Sequence, residues 1–377
     1  MRFLEAERRT LRRLMPGLDE DLSGHPLAVL ECPGNPGLKA FRAANGPGLL
    51  IPGEHGGAGA TAREALHCTR AIGARSPSLG VAATMHNFSV ASLVALCARS
   101  KGLEWMLLDA IARDRLLVAS AFAEGRSGQG VLSPTMRAER TGDRWQVSGR
   151  KKPCSMSVSA DIITASVALH DESGDQGVGV ALIPRHSKGI SVQPFWQSSV
   201  LTGAESDELV LDDVIVEDQL MVPLEPEEDR EGLDLQTVGL IWFTVLISGV
   251  YVGAASALVE RLIVGERATP GLRTQVVTEL EGAMLALERA ASDLDEGRED
   301  NDALARALVA RYTTQDAIRR VVAQAVELLG GMGFIRDPDI GYLASACQAL
   351  AFHPPTRGSV GDALDGFFGG AETLRIG

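Results

Sequence analysis

The side chains able to do chemistry in this 377-residue chain are sparse and scattered. Seven histidines stand at 25, 55, 67, 86, 170, 186 and 353, and five cysteines at 32, 68, 97, 154 and 347. They contain no Cys-x-x-Cys pair, no His-Glu-x-x-His and no other metal-ligand spacing. There is no Gly-x-Ser-x-Gly elbow to present a nucleophilic serine and no Gly-x-x-x-x-Gly-Lys phosphate loop. GGAG at 56–59 and GQG at 128–130 are glycine-rich but do not sit in a strand–turn–helix dinucleotide fingerprint. The odd cysteine count argues against a disulfide framework and for a reducing compartment. The charged N-terminus, MRFLEAERRTLRRL, lacks the apolar stretch of a signal peptide, so the expected location is cytoplasmic.

Charge narrows the partners. Asp and Glu number 49 against 36 Lys and Arg, a formal −13, which disfavours nucleic acid or an anionic membrane surface as partner. One stretch runs the other way. Residues 235–259 contain no charged side chain and are long enough to cross a bilayer. A mean hydropathy of only +0.06 and the absence of a second such run favour a helix buried on all sides instead, and no membrane association is expected.

The elements that must position any site change period along the chain. Up to about residue 116 the pattern is helical. Leu4, Leu11 and Leu14 share one face, 61–75 is a helix opened by Thr61 with Glu64 at capping-box spacing, and helices follow at 81–99 and 101–116. The prolines and glycines of 22–38 predict loop. A β segment follows, with a hairpin over 136–149 turning at Thr141-Gly142-Asp143 and strands at 162–169, 178–184, 189–195 and 207–216. The charged run 224–232 reads as a linker. Helices return at 236–266, 272–297, 301–329 and 338–351, with Gly330-Gly331 ending the third. The expected class is mainly α with a central β domain: an N-terminal helical domain (1–116), a β domain (117–224) and a C-terminal helical bundle (225–377).

This order, with a collinear set of short motifs, resembles the acyl-CoA dehydrogenase superfamily over nearly the whole chain. The motifs are GLLIPGEHGGAGAT (48–61), SPSLGVAATMH (76–86), FAEGRSGQG (122–130), VSGRKKPCS (147–155), LVLDDVIVEDQLM (209–221), ERATPG (266–271) and LLGGMGFIRD (328–337). The resemblance implies helices, a β barrel and a four-helix bundle, binding FAD in a homodimer or homotetramer.

Carried over by position, Phe122 and Ala123 lie on the flavin-contacting strand, Ala123 replacing a family Thr. Ser155 matches the hydroxyl residue near flavin N5. Arg267, with Thr269 in the same turn, matches the Arg that reaches a neighbouring subunit's pyrophosphate, although Pro270 replaces the turn's aromatic residue. Gly330 and Gly331 fit the turn where backbone approaches the cofactor, and Glu327 stands where many members have Gln. Thr356 follows the catalytic turn.

Family dehydrogenases need a carboxylate to remove the substrate's α-proton. Here Pro354 occupies that position within AFHPPTRG (351–358), and Phe243 occupies the alternative one on the uncharged helix. The leading expectation is nevertheless α,β-dehydrogenation of an acyl thioester, on CoA or an acyl carrier protein, with a non-standard base and an electron-transfer partner. The alternative comes from His353-Pro354-Pro355, Pro153-Cys154-Ser155 and His86, which resemble the dibenzothiophene monooxygenase branch. There the two histidines handle protons and the serine supports the flavin, an imidazole titrating near neutrality. That branch is a two-component monooxygenase taking O2 and reduced flavin, FMN or FAD, from a separate flavin reductase. A flavin-binding scaffold without catalysis is the third reading. No metal is expected.

Overall fold

A computed structural model describes residues 2–99, 104–125, 134–171, 174–224, 235–374 and 376. The GQG run and nearly all of the charged stretch at 224–232 lie outside the described residues. Helices open the chain: α1 (Glu5–Leu14), α2 (Leu18–Ser23), α3 (Leu27–Leu30), α4 (Pro36–Ala43), α5 (Ala62–Arg75), α6 (Pro77–Cys97) and α7 (Glu104–Asp114). The capping box forms as expected. Thr61 Oγ1 accepts from Glu64 N at 3.2 Å, and Glu64 Oε2 accepts from Thr61 N at 3.0 Å. The loop expected over 22–38 is a correction, since α3 and the start of α4 fall inside it. Pro36 occupies the first turn of α4, where a missing N–H costs nothing, so proline opens that helix instead of excluding it.

Among the described residues eight strands follow: β1 (Val118–Ala121), β2 (Arg137–Thr141), β3 (Arg144–Cys154), β4 (Ile162–Asp171), β5 (Gly174–Pro184), β6 (Ile190–Gln193), β7 (Asp207–Glu217) and β8 (Met221–Pro223). They form one sheet in the order β6-β7-β3-β2-β4-β5-β8, with β1 parallel to β4. The expected hairpin is β2–β3, with Thr141 opposite Arg144 across the Gly142-Asp143 turn, where Gly142 has φ +64°. β4 is bordered by β1, β2 and β5 and buries both faces, which accounts for its nearly continuous apolar run.

The chain closes with α8 (Leu235–Val264), α9 (Pro270–Asp295), α10 (Asn301–Arg336), α11 (Pro338–Ala346) and α12 (Arg357–Phe368). Helix α8, which carries the uncharged run 235–259, is the axis of the molecule, packed by α5, α6, α9 and α10. Its most apolar window is 89% buried inside the protein, so its hydrophobicity serves the core and not lipid. Contrary to the sequence reading, α6 is a second helix of spanning length and hydropathy; its window is 67% buried. Each Val, Leu or Ile that α8 buries contributes about 1.5–3 kcal/mol. Close approach to α5 depends on small residues. A Cβ on Gly253 would lie 2.3 Å from Arg70 O, and one on Gly73 2.3 Å from Val250 O.

Two details of the bundle depart from expectation. Gly330 adopts φ 78°, ψ 164°, which breaks α10 as anticipated, but the helix resumes and runs to Arg336. α12 was not expected, because Gly358, Gly361 and Gly366 give it weak propensity. It forms because Thr356 caps it and Val360 and Leu364 are buried in the bundle core.

Candidate functional site

The ends of β1 and β3 lie side by side. Lys152 N donates to Ala123 O at 2.8 Å, and Glu124 bridges to Lys152 beyond it. Beneath them Lys151 is fully buried, its Nζ donating to Glu124 Oε1 at 2.8 Å and Ser166 Oγ at 3.0 Å. Burial pushes the Glu124 carboxyl up, but hydrogen bonds from Lys151 and Thr135 outweigh it and hold the group down at about 2. This ion pair ties the β1 exit, with Phe122 and Ala123, to β3. The Ser155 hydroxyl is buried and pairs with Ser206 Oγ at 2.9 Å. Each of these hydroxyls retains hydrogen-bonding capacity beyond their mutual bond.

A line of ring contacts runs from this corner into the helices. Phe122 meets Phe88 of α6 at 6.4 Å between centroids. Phe88 meets Phe243 of α8 at 5.4 Å, and Phe243 meets His353 at 6.3 Å. His353, from the turn before α12, is therefore linked to Phe122 through two intervening rings. Its Nε2 is 2.7 Å from the hydroxyl of Tyr251, a buried residue on α8. The turn is held by Arg311 of α10, whose guanidinium is fully buried. Arg311 donates to Leu350 O at 3.2 Å, to Pro354 O at 3.2 Å and to His353 O. Burial lowers the Arg311 pKa to about 10, which still leaves it charged at neutral pH. Burial, and then the Arg311 charge, push the His353 imidazole well below its ordinary range, so it is neutral at pH 7. Burial holds the Tyr251 phenol well above its ordinary value, so it keeps its proton.

His86 lies in a different setting. It is fully buried, and its Nδ1 accepts from Val118 N at 3.0 Å. Nε2 must then carry the proton, which it donates to Pro47 O at 3.0 Å. Both nitrogens are occupied by backbone, and burial lowers the pKa to about 4. The proton-handling role expected for His86 is closed to it in this geometry. It is a strut joining α6 to β1 and to the turn at Pro47.

The remaining expected positions are elsewhere. Thr356 Oγ1 accepts from Ser359 N at 3.3 Å, making Thr356 the N-cap of α12. Thr269 caps α9, and Arg267 is exposed beyond the end of α8. At about 1.5 Å per residue, the end of α8 lies about 30 Å from Phe243. Gly330 and Gly331 sit near the far end of α10, where an added Cβ would meet nothing within 4 Å. One chain therefore cannot bring Arg267 or Gly330 to the ring cluster. Tyr251 and Arg311 escaped the sequence reading, although Tyr251 is a polar residue set in an apolar helical run. Glu31 did too. It anchors the start of α6 through Ser76 Oγ at 2.6 Å, Ser78 Oγ at 2.6 Å and Ser78 N at 3.0 Å.

The corner between the sheet and α6–α8 fits a flavin edge. It offers a buried hydroxyl pair at Ser155 and Ser206, a strand end at Phe122–Ala123, and aromatic rings beside them. Comparisons with known proteins bear on the family and the fold. The acyl-CoA dehydrogenase middle domain matches residues 119–214 and the acyl-CoA dehydrogenase C-terminal domain residues 259–353. Isobutylamine N-hydroxylase of Streptomyces viridifaciens is 45% identical, the match covering 98% of this chain and 99% of that protein. Among solved structures, nitrososynthase from Micromonospora carbonacea var. africana superposes with TM-score 0.83 at 20% identity, over 97% of each chain. FMN-bound TdsC from Paenibacillus sp. A11-2, a dibenzothiophene monooxygenase, superposes with TM-score 0.80 at 17% identity, over 100% of each chain. With the family domains falling on the sheet and the bundle, and a relative aligned end to end, the chain belongs to the acyl-CoA dehydrogenase superfamily and is a flavin-dependent oxidoreductase of that fold.

Proposed function

We propose that this flavoprotein is a monooxygenase that hydroxylates the nitrogen of a small aliphatic amine, using O2 and reduced flavin delivered by a separate reductase. The observation that carries this reading is the pair Phe243 and Pro354. They stand at the two positions where the family's dehydrogenases place the carboxylate that takes an α-proton, and neither can act as a base. The end-to-end likeness to an amine N-hydroxylase supports the same conclusion. Acyl-thioester dehydrogenation, the leading expectation from sequence, takes second place because it lacks its base.

The reaction forms one N–O bond. R–NH2, O2, two electrons and two protons give R–NHOH and water; a reduced flavin, whose edge Ser155 would hold, would supply the two electrons. The chain's own residues do the rest. Phe88, Phe122 and Phe243 exclude water and offer an apolar wall to the substrate's carbon chain. The buried Arg311 cation and that wall together disfavour a second positive charge, so an amine held there loses its proton and presents a free lone pair. His353 and Tyr251 form an uncharged relay: Tyr251 Oη holds a proton against His353 Nε2, 2.7 Å away, and passes it toward the departing water. Arg311 is a positioning residue that fixes the His353 turn through three carbonyls. Ser155 orients the flavin edge. Arg267, Thr269, Gly330 and Gly331 serve the flavin of a neighbouring subunit, since they are too far from this chain's own ring cluster.

The test is product analysis with isobutylamine and a panel of small primary amines, under O2 and supplied reduced flavin. N-hydroxylamine should appear, and Tyr251→Phe should lower its rate by about 10²–10⁴-fold, the usual loss for a positioned proton donor. If no amine is oxygenated, while an acyl thioester bleaches bound flavin without oxygen, dehydrogenation is restored.

A further inference from the structure

Three buried polar atoms on the two helices flanking the ring cluster have no hydrogen-bond partner among the described residues: Thr84 Oγ1 and Asn87 Oδ1 on α6, and Thr244 Oγ1 on α8. Thr84 and Thr244 are 0% exposed and Asn87 is 2% exposed. Buried polar atoms are nearly always paired, and an unpaired one costs about 1–3 kcal/mol. Other hydroxyls on the same helices settle the matter locally. Ser89 donates to Met85 O at 3.0 Å, Ser92 to Phe88 O at 3.0 Å and Ser248 to Thr244 O at 2.7 Å. Thr84 and Thr244 do not turn back to a carbonyl in this way, so their hydroxyls are left for something else.

The helix register brings these atoms to one region. A Cβ on Gly80 would meet Val250 at 2.8 Å, and one on Gly239 would meet Ser92 Oγ at 2.8 Å. α6 and α8 therefore run antiparallel, with Phe88 against Phe243 between those two contacts. Thr84, Asn87, Phe88 and Ser92 share one stripe of α6 at i, i+3, i+4 and i+8. Thr244 is next to Phe243 and two turns from Tyr251, on the same face of α8. The three unpaired groups thus border the aromatic cluster in which His353 ends.

We infer that Asn87, with Thr84 and Thr244, is the recognition element for the substrate's amino group. The ligand class is a neutral primary amine on a short alkyl chain. Its N–H groups donate to the Asn87 amide oxygen and a threonine hydroxyl, its lone pair stays free, and its carbons lie on Phe88 and Phe243. The inference rests on the amine reading above and adds residues that reading does not use. A hydroxyl and an amide suit this task better than a carboxylate, which would bind the ammonium and block the lone pair.

The test uses the flavin-loaded enzyme and isobutylamine as probe. Asn87→Leu should raise the amine KM about tenfold, the equivalent of one lost hydrogen bond, with a smaller change in kcat. Isobutylamine should also raise the melting temperature of the wild type and do so less for Asn87→Leu. Asn87→Asp should shift the pH dependence of amine binding toward acid, because the carboxylate selects the ammonium. If Asn87→Leu does not retain flavin, Thr84→Val and Thr244→Val carry the same measurement. Variants with unchanged amine KM and unchanged amine-induced stabilisation overturn the assignment and leave the three groups to bound water. A wild type that neither binds nor oxygenates amines overturns the amine reading instead, so the two failures are distinguishable.

Discussion

Burial of His86 makes the stability of the fold depend on pH. Its imidazole has an ordinary pKa of 6.5 but titrates at about 4 in the folded protein, chiefly because burial penalises the charged form. Between those values the unfolded chain binds a proton that the folded chain refuses, so stability falls as pH drops through this window. At about 1.4 kcal/mol per pH unit, the loss is about 2 kcal/mol by pH 5 and about 3 kcal/mol below pH 4. His86→Gln keeps a donor for Pro47 O but leaves the Val118 N–H without its acceptor, costing about 1–3 kcal/mol at pH 7.5. Because glutamine does not titrate, the gap between wild type and variant should shrink by about 2 kcal/mol on going to pH 5. Denaturant midpoints at the two pH values, with protein and flavin concentrations held constant, measure this directly. At pH 7.5 the folded variant should keep turnover within a few-fold. A gap independent of pH would refute the buried-strut assignment. A loss of 10²–10⁴-fold in kcat at full folding would restore the proton role.

Two further expectations concern the frame. Gly253→Ala should destabilise the protein by about 2–4 kcal/mol, because the new Cβ meets the backbone of α5, which cannot move aside as a side chain can. Gly282→Ala on α9, where nothing lies within 4 Å, should stabilise by up to about 1 kcal/mol in the same unfolding assay. Arg311→Met removes the charge that depresses His353, so His353 should titrate at higher pH and the acid limb of the kcat profile should move upward. Arg311→Lys retains the charge and loses the fork, so it should lower kcat without moving that limb. Equal pH profiles for the two variants would show that Arg311 serves the fold alone.

Local signals in the chain carried a good deal of the outcome. The uncharged run of 235–259 could be a core axis because no charge interrupts it, and it is that axis. Thr61 with Glu64 set the start of α5, and Thr141-Gly142-Asp143 the hairpin, because caps and tight turns are decided within a few residues. The motif order from GLLIPGEHGGAGAT to LLGGMGFIRD was enough to recognise the superfamily. Pro354 and Phe243 are equally visible as missing carboxylates.

Tertiary contacts decided the rest. Whether a histidine can move a proton depends on what its two nitrogens meet, and those partners, Pro47 and Val118 for His86 and Tyr251 for His353, come from distant parts of the chain. Arg311 gives no local sign that it grips a turn some forty residues later. Thr84, Asn87 and Thr244 look like ordinary helix residues until packing removes their water and, among the described residues, supplies no partner. Helix, turn and family were written in short-range spacing. The chemistry of the site was set by burial and by contacts across the sequence, which no local pattern encodes.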